Sequence, residues 1–303
     1  MAGPPVEVPP NPPPGRPAAE FPIDEALVRA LLEAQHPDLA GLPLRRAGEG
    51  WDNATFRLGD KLAVRLPRRA AAAELVEHEQ RWLPLLAERL PLSIPVPVRA
   101  GQPGSGYPWR WSVVPWLAGQ PAGAEPPPVA EAAVLGTFLH ALHVDAPTDA
   151  PANPYRGVPL SRRAASVRAR MARLGELGDA AAAVTAAFDE ALATPIDAGR
   201  TWLHGDLHPQ NILVAGGAIS AVVDWGDLTA GDPATDLAAA WMLWPPQQHD
   251  AFWDAYGGVS DATRQRARGW AVFFGVVLLD VGLADRSSFA AVGRRTLAHV
   301  GRR

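Results

Sequence analysis

The chain has 303 residues, of which 48% are hydrophobic, enough for one large domain or two smaller ones that share a cleft. Its formal net charge of −4 gives no excess of Lys and Arg, which argues against nucleic acid or an anionic membrane as a partner. The chain has no cysteine, which excludes disulfides and thiolate metal sites and is typical of a reducing cytoplasm.

The first segment, residues 1–22, is rich in proline and has neither an apolar run nor a basic start. It predicts a disordered lead rather than the hydrophobic segment of a signal peptide. The longest apolar run of the chain, Trp270 to Leu279, is too short to span a bilayer. We therefore expect this run to form a core helix, and we expect the protein in the cytoplasm.

Residues 23–118 predict a small lobe rich in strands. Apolar residues at helical spacing predict two helices, and short alternating runs predict the strands. Gly59-Asp60 predicts a tight hairpin turn, and Pro84 is expected to kink the second helix or to end it early. The predicted elements are a helix over 23–35, strands over 43–47, 54–58 and 61–66, a helix over 70–90, and a strand over 111–117.

Residues 119–303 predict a larger and mostly helical lobe. The change from strands to helices near residue 118 is the predicted domain boundary, so the fold class is α+β, with a small antiparallel sheet lobe and a large helical lobe. The predicted elements are a helix over 129–143, two helices within 160–194, strands at 202–204, 212–214 and 219–223, and further helices over 233–298.

The strongest signal of chemistry is the run HGDLHPQN at 204–211, followed across a predicted hairpin by DWG at 224–226. Transfer of a phosphoryl group from ATP needs a carboxylate near the acceptor hydroxyl and oxygen ligands that hold Mg²⁺ against the phosphates. Asp206 fits the first role as catalytic base. Asn211 and Asp224 fit the second, because Mg²⁺ prefers hard oxygen ligands. The structural alternative is that Asp206 caps a helix and that Asp224 is simply solvated. It explains the spacing of the two motifs less well.

The segment WLHGDLHPQNILV, with AVVDWGDLTAGDPATDLA after it, resembles the catalytic core of the aminoglycoside phosphotransferase family. That family is related to choline, homoserine, fructosamine and macrolide kinases and, more distantly, to protein kinases. The resemblance implies a two-lobed protein-kinase-like fold and an ATP- and Mg²⁺-dependent transfer to a hydroxyl of a small molecule, with aminoglycoside or macrolide antibiotics among the candidates. It also implies that His204 supports the loop, and that Asp232 and Asp236 belong to its scaffold.

The small lobe contains a second signal, the run LAVR at 62–65, where kinases carry a strand that reads VAIK. Alternation along a strand places Ala63 and Arg65 on one face, so the small residue is expected against adenine and the cation against the phosphates. The lysine expected at the last position is Arg65 here, which keeps the charge but changes the hydrogen-bond geometry. The next helix should supply a glutamate to this cation. Glu79 fits the family's spacing better than its competitors Glu74 and Glu77.

Two further stretches are expected to bind nucleotide through their backbone. The loop that contains Gly50 and Asn53 lies where a phosphate-covering loop is expected, although it lacks a Gly-x-Gly-x-x-Gly run. The strand that leads out of the small lobe resembles the linker that recognises the edge of adenine, at Val114, Trp116 and Leu117.

Several other residues have a functional and a structural interpretation. Trp241 and Trp244 could stack on an acceptor, but core packing is the preferred interpretation. His140 and His143 stand three apart on a helix and form a possible metal pair, which we interpret as structural because no third ligand is in view. The arginines within 162–170 are expected on a solvated helical face.

Two other functions stay open beside the small-molecule kinase. A nucleotide-binding pseudokinase or interaction module is supported only by the departure at Arg65, since the residues assigned to base and metal are all present. A metallophosphoesterase would use the Asp-x-His at 206–208, but two-metal phosphatases also need a Gly-Asn-His run that the chain lacks. The larger lobe is not conspicuously acidic, which disfavours a polycationic acceptor. The sequence leaves open the acceptor, the choice between ATP and GTP, and the oligomeric state.

Overall fold

The computed structural model describes residues 17–175 and 181–302 of the chain. Most of the predicted disordered lead, residues 1–16, lies outside the described residues. The remainder of that segment contacts the small lobe: the Glu20 N–H donates to the carbonyl of Arg68 at 2.9 Å, and the Glu20 carboxylate accepts from the Ala70 N–H at 2.8 Å. Residues 17–22 therefore belong to the small lobe rather than to a disordered lead.

The small lobe is built on a five-stranded antiparallel sheet with the strand order β1-β2-β3-β5-β4. Gly59 turns the β2–β3 hairpin with a φ of 57°, which a glycine adopts without strain. The elements up to β3 are α1 (Glu25–Gln35), α2 (Pro37–Ala40), β1 (Leu44–Glu49), β2 (Asn53–Leu58) and β3 (Leu62–Pro67). They are followed by α3 (Ala70–Ala87), β4 (Arg99–Gly101) and β5 (Trp111–Pro115).

The two faces of this sheet pack against different helices. Leu31 and Leu32 of α1 form one core with Val64 and Leu66 of β3. On the other face, α3 continues past Pro84 to Ala87, so the proline does not end the helix early. Part of its apolar side, including Trp82, belongs to the core of the large lobe. Because α3 connects the two lobes, it fixes the small sheet above the cleft.

The chain crosses from one lobe to the other between β5 and the next strand, over residues 116–119. The large lobe contains a three-stranded sheet with the order β6-β8-β9 and a two-stranded sheet of β7 and β10. Of these strands, β6 and β10 were not predicted. Its first elements are β6 (Gln120–Pro121), α4 (Ala132–Leu142), α5 (Ala164–Leu174), α6 (Ala181–Ala193), β7 (Thr201–Leu203), β8 (Ile212–Ala215), β9 (Ala218–Val222) and β10 (Thr229–Gly231). The chain then continues through α7 (Ala234–Leu237), α8 (Ala239–Leu243), α9 (Asp250–Tyr256), α10 (Asp261–Ala284) and α11 (Phe289–Val300).

The longest helix, α10, forms the centre of the large lobe. By length and composition it is the one helix among the described residues that could cross a membrane, with a mean hydropathy of 1.6 over its most apolar stretch. However, 78% of that stretch is buried inside the protein, where Trp270, Phe273 and Phe274 pack into the core. The apolar run thus forms the core helix that the sequence predicts.

Candidate active site

The loop after β7 contains Asp206 and is held from below by Asp236. The Asp236 carboxylate accepts hydrogen bonds from the backbone N–H groups of His204, at 2.7 Å, and Gly205, at 2.9 Å. Gly205 has a φ of 85°, and a Cβ atom at this position would lie 2.3 Å from the carbonyl oxygen of Asp227. Only glycine fits there without displacing the backbone, so the Gly after His in the motif has a steric reason.

His204 is fully buried and connects this loop to the loop that carries Asp224. Its Nε2 atom lies 3.0 Å from the carbonyl oxygen of Val223, and its Nδ1 accepts from the Asp206 N–H at 3.2 Å. Its ring packs against Trp225, with the ring centres 4.7 Å apart. These contacts give His204 the supporting position that the family resemblance implies.

Asn211 and Asp224 meet because the β8–β9 hairpin folds back on the catalytic loop. The Val223 N–H donates to the Asn211 carbonyl at 2.9 Å, which fixes the following residue, Asp224, beside Asn211. The Asn211 side-chain N–H₂ donates to the carbonyl of Asp206 at 2.9 Å, so Oδ1 is the atom of this side chain that could bind a metal. The Asp224 side chain is 56% exposed, and the backbone of this residue has a φ of 63°. An amide oxygen beside an open carboxylate fits the hard ligands that Mg²⁺ takes.

Arg65 lies opposite these residues, on β3 of the small lobe. Its guanidinium donates to both carboxylate oxygens of Glu79, at 2.9 and 3.1 Å, and reaches the Asp224 carboxylate at 3.4 Å. Burial raises the pKa of the Glu79 carboxyl, and the Arg65 charge opposes that rise. The two competing glutamates lie elsewhere: Glu74 lies 3.7 Å from His78, and Glu77 lies 3.6 Å from Arg110. Of the three candidates, Glu79 is the one that contacts Arg65.

The apolar part of the cleft is formed by side chains that belong to neither hydrophobic core. Ala63 and Val114 are directly paired across β3 and β5, and both are buried. Leu213 of β8, in the large lobe, is also buried and belongs to neither core. The sequence analysis missed Leu213, although its alternation with Ile212 on a short strand could have indicated it.

The linker offers fewer backbone donors than the sequence suggests. Pro115 has no N–H, and the Trp116 N–H donates to the carbonyl of Lys61 at 2.7 Å. The Trp116 ring lies outside the cleft, with the Arg57 guanidinium carbon 4.5 Å from the centre of the ring. Of the two linker residues, Leu117 therefore keeps an N–H for a ligand and Trp116 does not.

The loop between β1 and β2 also differs from its prediction. The Gly50 N–H donates to the Asn53 carbonyl at 2.8 Å, so it closes a turn and is not directed at phosphate. Asn53 is buried at the start of β2, and its Oδ1 accepts no hydrogen bond. Arg68 and Arg69 hold the loop through the Gly50 carbonyl and the Asp52 carboxylate. Gly50 is thus a turn residue in this structure.

Asp206 itself lies between the side chains of Arg156 and His208. Arg156 donates to Oδ1 at 2.8 Å, and the Nε2 atom of His208 lies 3.3 Å from Oδ2. Burial alone would raise the pKa of the Asp206 carboxyl, but the charges of His208 and Arg156 outweigh burial and hold that pKa below its usual range. Arg156 was not found from the sequence, because it lies 50 residues before Asp206 in a segment without a motif. Asp206 is therefore an ionised carboxylate over the whole physiological pH range.

The two tryptophans that could stack on an acceptor are core residues. Trp244 is buried and donates from its indole N–H to the Pro127 carbonyl at 2.9 Å. Trp241 is buried against Trp253, with the ring centres 5.8 Å apart. The structure thus places both in the packing role that the sequence favours.

The paired histidines are also structural. The Nδ1 atom of His140 lies 2.7 Å from the Tyr256 carbonyl oxygen, and that of His143 lies 2.9 Å from the Tyr256 hydroxyl. His143 approaches Asp236 at 3.4 Å and so supports the carboxylate under the catalytic loop. No group of three or more His, Cys, Asp or Glu side chains that could hold a metal is found within residues 17–175 and 181–302.

Asp232 has a structural partner that argues against a two-metal phosphatase. Both of its carboxylate oxygens accept from the buried guanidinium of Arg266, at 2.7 and 3.1 Å. It also accepts from the Ala234 N–H at 3.2 Å, which fixes the turn before the next helix. With its oxygens engaged in this way, Asp232 is a scaffold residue, as its position in the motif implies.

A comparison with protein families matches residues 43–270 to the phosphotransferase enzyme family. The chain belongs to this family. The match covers both lobes and includes the catalytic loop, the β8–β9 hairpin and the strand that carries Arg65. The protein is therefore a phosphotransferase that acts on a small molecule. The interpretation as a metallophosphoesterase is wrong. The chain gives no significant match among curated protein sequences.

Solved structures of phosphotransferases share the whole fold. The GDP complex of wild-type aminoglycoside 2'-phosphotransferase-IIIa is 19% identical, with a TM-score of 0.69, and the match covers 92% of this chain and 99% of that one. Macrolide 2'-phosphotransferase MphH from Brachybacterium faecium is 25% identical, with a TM-score of 0.57, over 92% and 98% of the two chains. The streptomycin–ATP–APH(2")-IIa ternary complex is 16% identical, with a TM-score of 0.59, over 85% and 90%. The two-lobed kinase-like fold predicted from the sequence is confirmed.

Proposed function

We propose that this phosphotransferase uses Mg²⁺ and ATP to phosphorylate a hydroxyl group of a small molecule. One observation carries the proposal: Asp206, Asn211 and Asp224 converge on one side of a cleft, and the paired cation Arg65 faces them from the other. Phosphoryl transfer depends on positioning and on charge stabilisation more than on covalent chemistry by the protein. A carboxylate for the hydroxyl, oxygen ligands for the metal and a cation for the phosphates are the groups that this reaction needs.

The nucleotide would enter between the lobes, with its base against Ala63, Val114 and Leu213. The Leu117 N–H would donate to the edge of the base. Arg65 would exchange its weak contact with Asp224 for the phosphates while Glu79 keeps hold of its other nitrogen. Because both Glu79 oxygens accept from the same guanidinium nitrogen, they limit the rotamers of the arginine, so the cation is already oriented before nucleotide binds.

Asn211 and Asp224 would hold Mg²⁺ through the amide Oδ1 and the carboxylate. When bound, the ion neutralises charge on the phosphates. Asn211 reaches this position because its N–H₂ is engaged by the Asp206 carbonyl. Asp224 keeps an exposed side chain, so both groups are accessible from the cleft.

In the transfer step the acceptor hydroxyl would donate its hydrogen bond to Asp206. The hydroxyl oxygen forms a bond to the γ-phosphorus, the bond from that phosphorus to the β–γ bridging oxygen breaks, and ADP leaves. The hydroxyl proton passes to a carboxylate oxygen of Asp206. Because the low pKa makes Asp206 a weak base, it first orients the hydroxyl and takes the proton late, which suits a loose transition state.

The acceptor belongs to the finer part of the proposal. Similar structures include complexes with kanamycin, streptomycin and gentamicin as well as macrolide phosphotransferases, so these antibiotics belong in the panel of acceptors to be tested. We place the reaction in the cytoplasm, which is compatible with a chain without cysteine.

An acceptor panel in a coupled ADP-release assay tests the proposal. Aminoglycosides, macrolides and small hydroxy acids are each offered with ATP or GTP, with Mg²⁺ and with EDTA. We expect Mg²⁺-dependent ADP release that at least one acceptor accelerates and that Asp206→Asn removes. Asp189→Asn is the matched control, because Asp189 is exposed and contacts only Arg168 in the described part of the chain. Acceleration that survives in Asp206→Asn would contradict the proposal.

A further inference from the structure

Among the residues that the structure describes, four arginines are nearly buried, and three of them have polar partners. Arg170 pairs with Asp280, Arg266 pairs with Asp232, and Arg68 donates to backbone carbonyls. The fourth, Arg163, is 9% exposed, and its Nε has no acceptor. Within the described ranges it makes no hydrogen bond or ion pair. The sequence predicts a solvated helical face for the arginines within 162–170, and that prediction is wrong for Arg163 and Arg170, which are buried.

A buried guanidinium without a carboxylate is costly for the folded protein. Two aromatic rings lie against it: its guanidinium carbon lies 5.1 Å from the ring centre of Tyr155 and 5.2 Å from that of Phe273. Burial and the nearby charge of Arg156 lower the pKa of Arg163 to about 10, so it remains a cation at neutral pH. A cation kept in such surroundings indicates that something outside the protein compensates it.

The position of Arg163 connects it to the reaction centre. The guanidinium carbon of Arg156 also lies 5.2 Å from the centre of the Phe273 ring, so the two cations lie within twice that distance of each other. Arg156 contacts the Asp206 carboxylate directly. Phe273 thus contacts both the arginine that holds Asp206 and the arginine that has no acid partner among the described residues.

We propose that Arg163, assisted by Arg156, binds an anionic group of the acceptor, a carboxylate or a phosphate. The inference rests on the proposed function, in which the hydroxyl to be phosphorylated lies at Asp206. The anionic group of the same acceptor would then lie next to Phe273. The acceptor is then a hydroxy compound with a negative charge. Polycationic molecules are poor acceptors, because Arg156 and Arg163 repel them.

Calorimetric titration with inorganic phosphate and, separately, with acetate tests the anion site. The protein is first saturated with Mg²⁺ and a non-hydrolysable ATP analogue, so that Arg65 is already engaged, and chloride at equal ionic strength gives the baseline. We expect at least one of the two anions to bind the parent protein. Arg163→Met should weaken this binding by about tenfold or more, the loss of a charge-assisted hydrogen bond.

The matched control is Arg162→Met, which removes the same charge from the exposed neighbouring position and should bind like the parent. If Arg163→Met fails to fold, Arg163→Lys replaces it. We expect Arg163→Lys to bind the anion more weakly than the parent but more tightly than a variant without the charge, because lysine keeps the charge and lacks the forked guanidinium. Absence of binding of both anions to the parent overturns the inference, and so does parent-like binding by every Arg163 variant. A chain that did not bind the ATP analogue would refute the proposed function, and the same titration without nucleotide would still decide the anion site.

Discussion

The two sides of the cleft differ in whether a buried arginine has an acidic partner. On the nucleotide side, Arg65 donates to both oxygens of the buried Glu79, so its charge is compensated before any ligand binds. On the acceptor side, Arg156 is compensated by Asp206, but Arg163 behind it has no acid partner among the described residues. In the proposed function, this pairing orients Arg65 in advance for a ligand that is the same in every reaction cycle, the phosphates of the nucleotide. Burying an unpaired cation such as Arg163 lowers the stability of the folded protein, and a ligand with a negative charge would compensate it.

The largest expected effect concerns the acceptor side. Asp206→Asn should lower kcat by roughly 10²–10⁴-fold, because the amide cannot take the hydroxyl proton. Nucleotide affinity should change little, since Asp206 faces the acceptor. Steady-state kinetics with the best acceptor, combined with calorimetry of nucleotide binding, measures both. Full turnover in this variant would remove Asp206 from the mechanism.

The nucleotide side is expected to show the next largest effect. Arg65→Ala should lose about 1.5–3 kcal/mol of charge-assisted hydrogen bonding. This corresponds to a decrease of roughly 10–150-fold in nucleotide affinity or kcat/KM. Arg65→Lys should recover part of it, because the charge returns without the forked geometry. If Arg65→Ala bound nucleotide like the parent, the cation for the phosphates would lie elsewhere, and a nucleotide-binding pseudokinase would gain support.

The difference between the two sides also explains which residues could be predicted from the sequence. The residues found from the sequence stand in short motifs whose spacing is set by one hairpin or one loop. The alternation of side chains along a strand and the position of a turn are therefore enough to predict where they lie. These residues are Arg65, Asp206, Asn211 and Asp224. Glu79 followed from its position on the next helix.

The misses depend on contacts that no local pattern records. Arg156 meets Asp206 across 50 residues of sequence, and Arg163 meets Phe273 on the central helix. Gly50 was assigned to phosphate because glycines permit many turns, yet its N–H closes its own turn. Residue type predicts that a loop can bend, but the hydrogen bonds of the folded loop decide which groups are left for a ligand.

A double-mutant cycle sharpens the nucleotide side. Glu79→Ala should reduce nucleotide affinity less than Arg65→Ala does, because the cation remains but loses its orientation. The double variant should resemble Arg65→Ala alone, since both residues act through one contact. Calorimetric affinities of the four proteins give the coupling. Additive losses would mean that the contact between the two side chains does not orient the cation.

The smallest effect is a displacement of the pH profile on the acceptor side. Burial raises the pKa of Asp206, and the charges of His208 and Arg156 lower it further than burial raises it. Removing one charge in Arg156→Met should therefore raise that pKa. Activity that needs the ionised carboxylate is lost as pH falls through this pKa, so the acid limb of kcat/KM should move to higher pH in the variant. Arg162→Met is the control, and superimposable profiles for Arg156→Met and the parent would contradict the account.

The metal ligands provide the most direct test of the central claim, that this cleft binds nucleotide together with Mg²⁺ for phosphoryl transfer. ATP is titrated calorimetrically into the parent and into Asp224→Ala, each with and without Mg²⁺. Asp224 is the one carboxylate assigned to the ion, so the account predicts that Mg²⁺ tightens ATP binding to the parent and that this dependence disappears in Asp224→Ala. Equal affinities for Mg²⁺-ATP in the parent and the variant would contradict it.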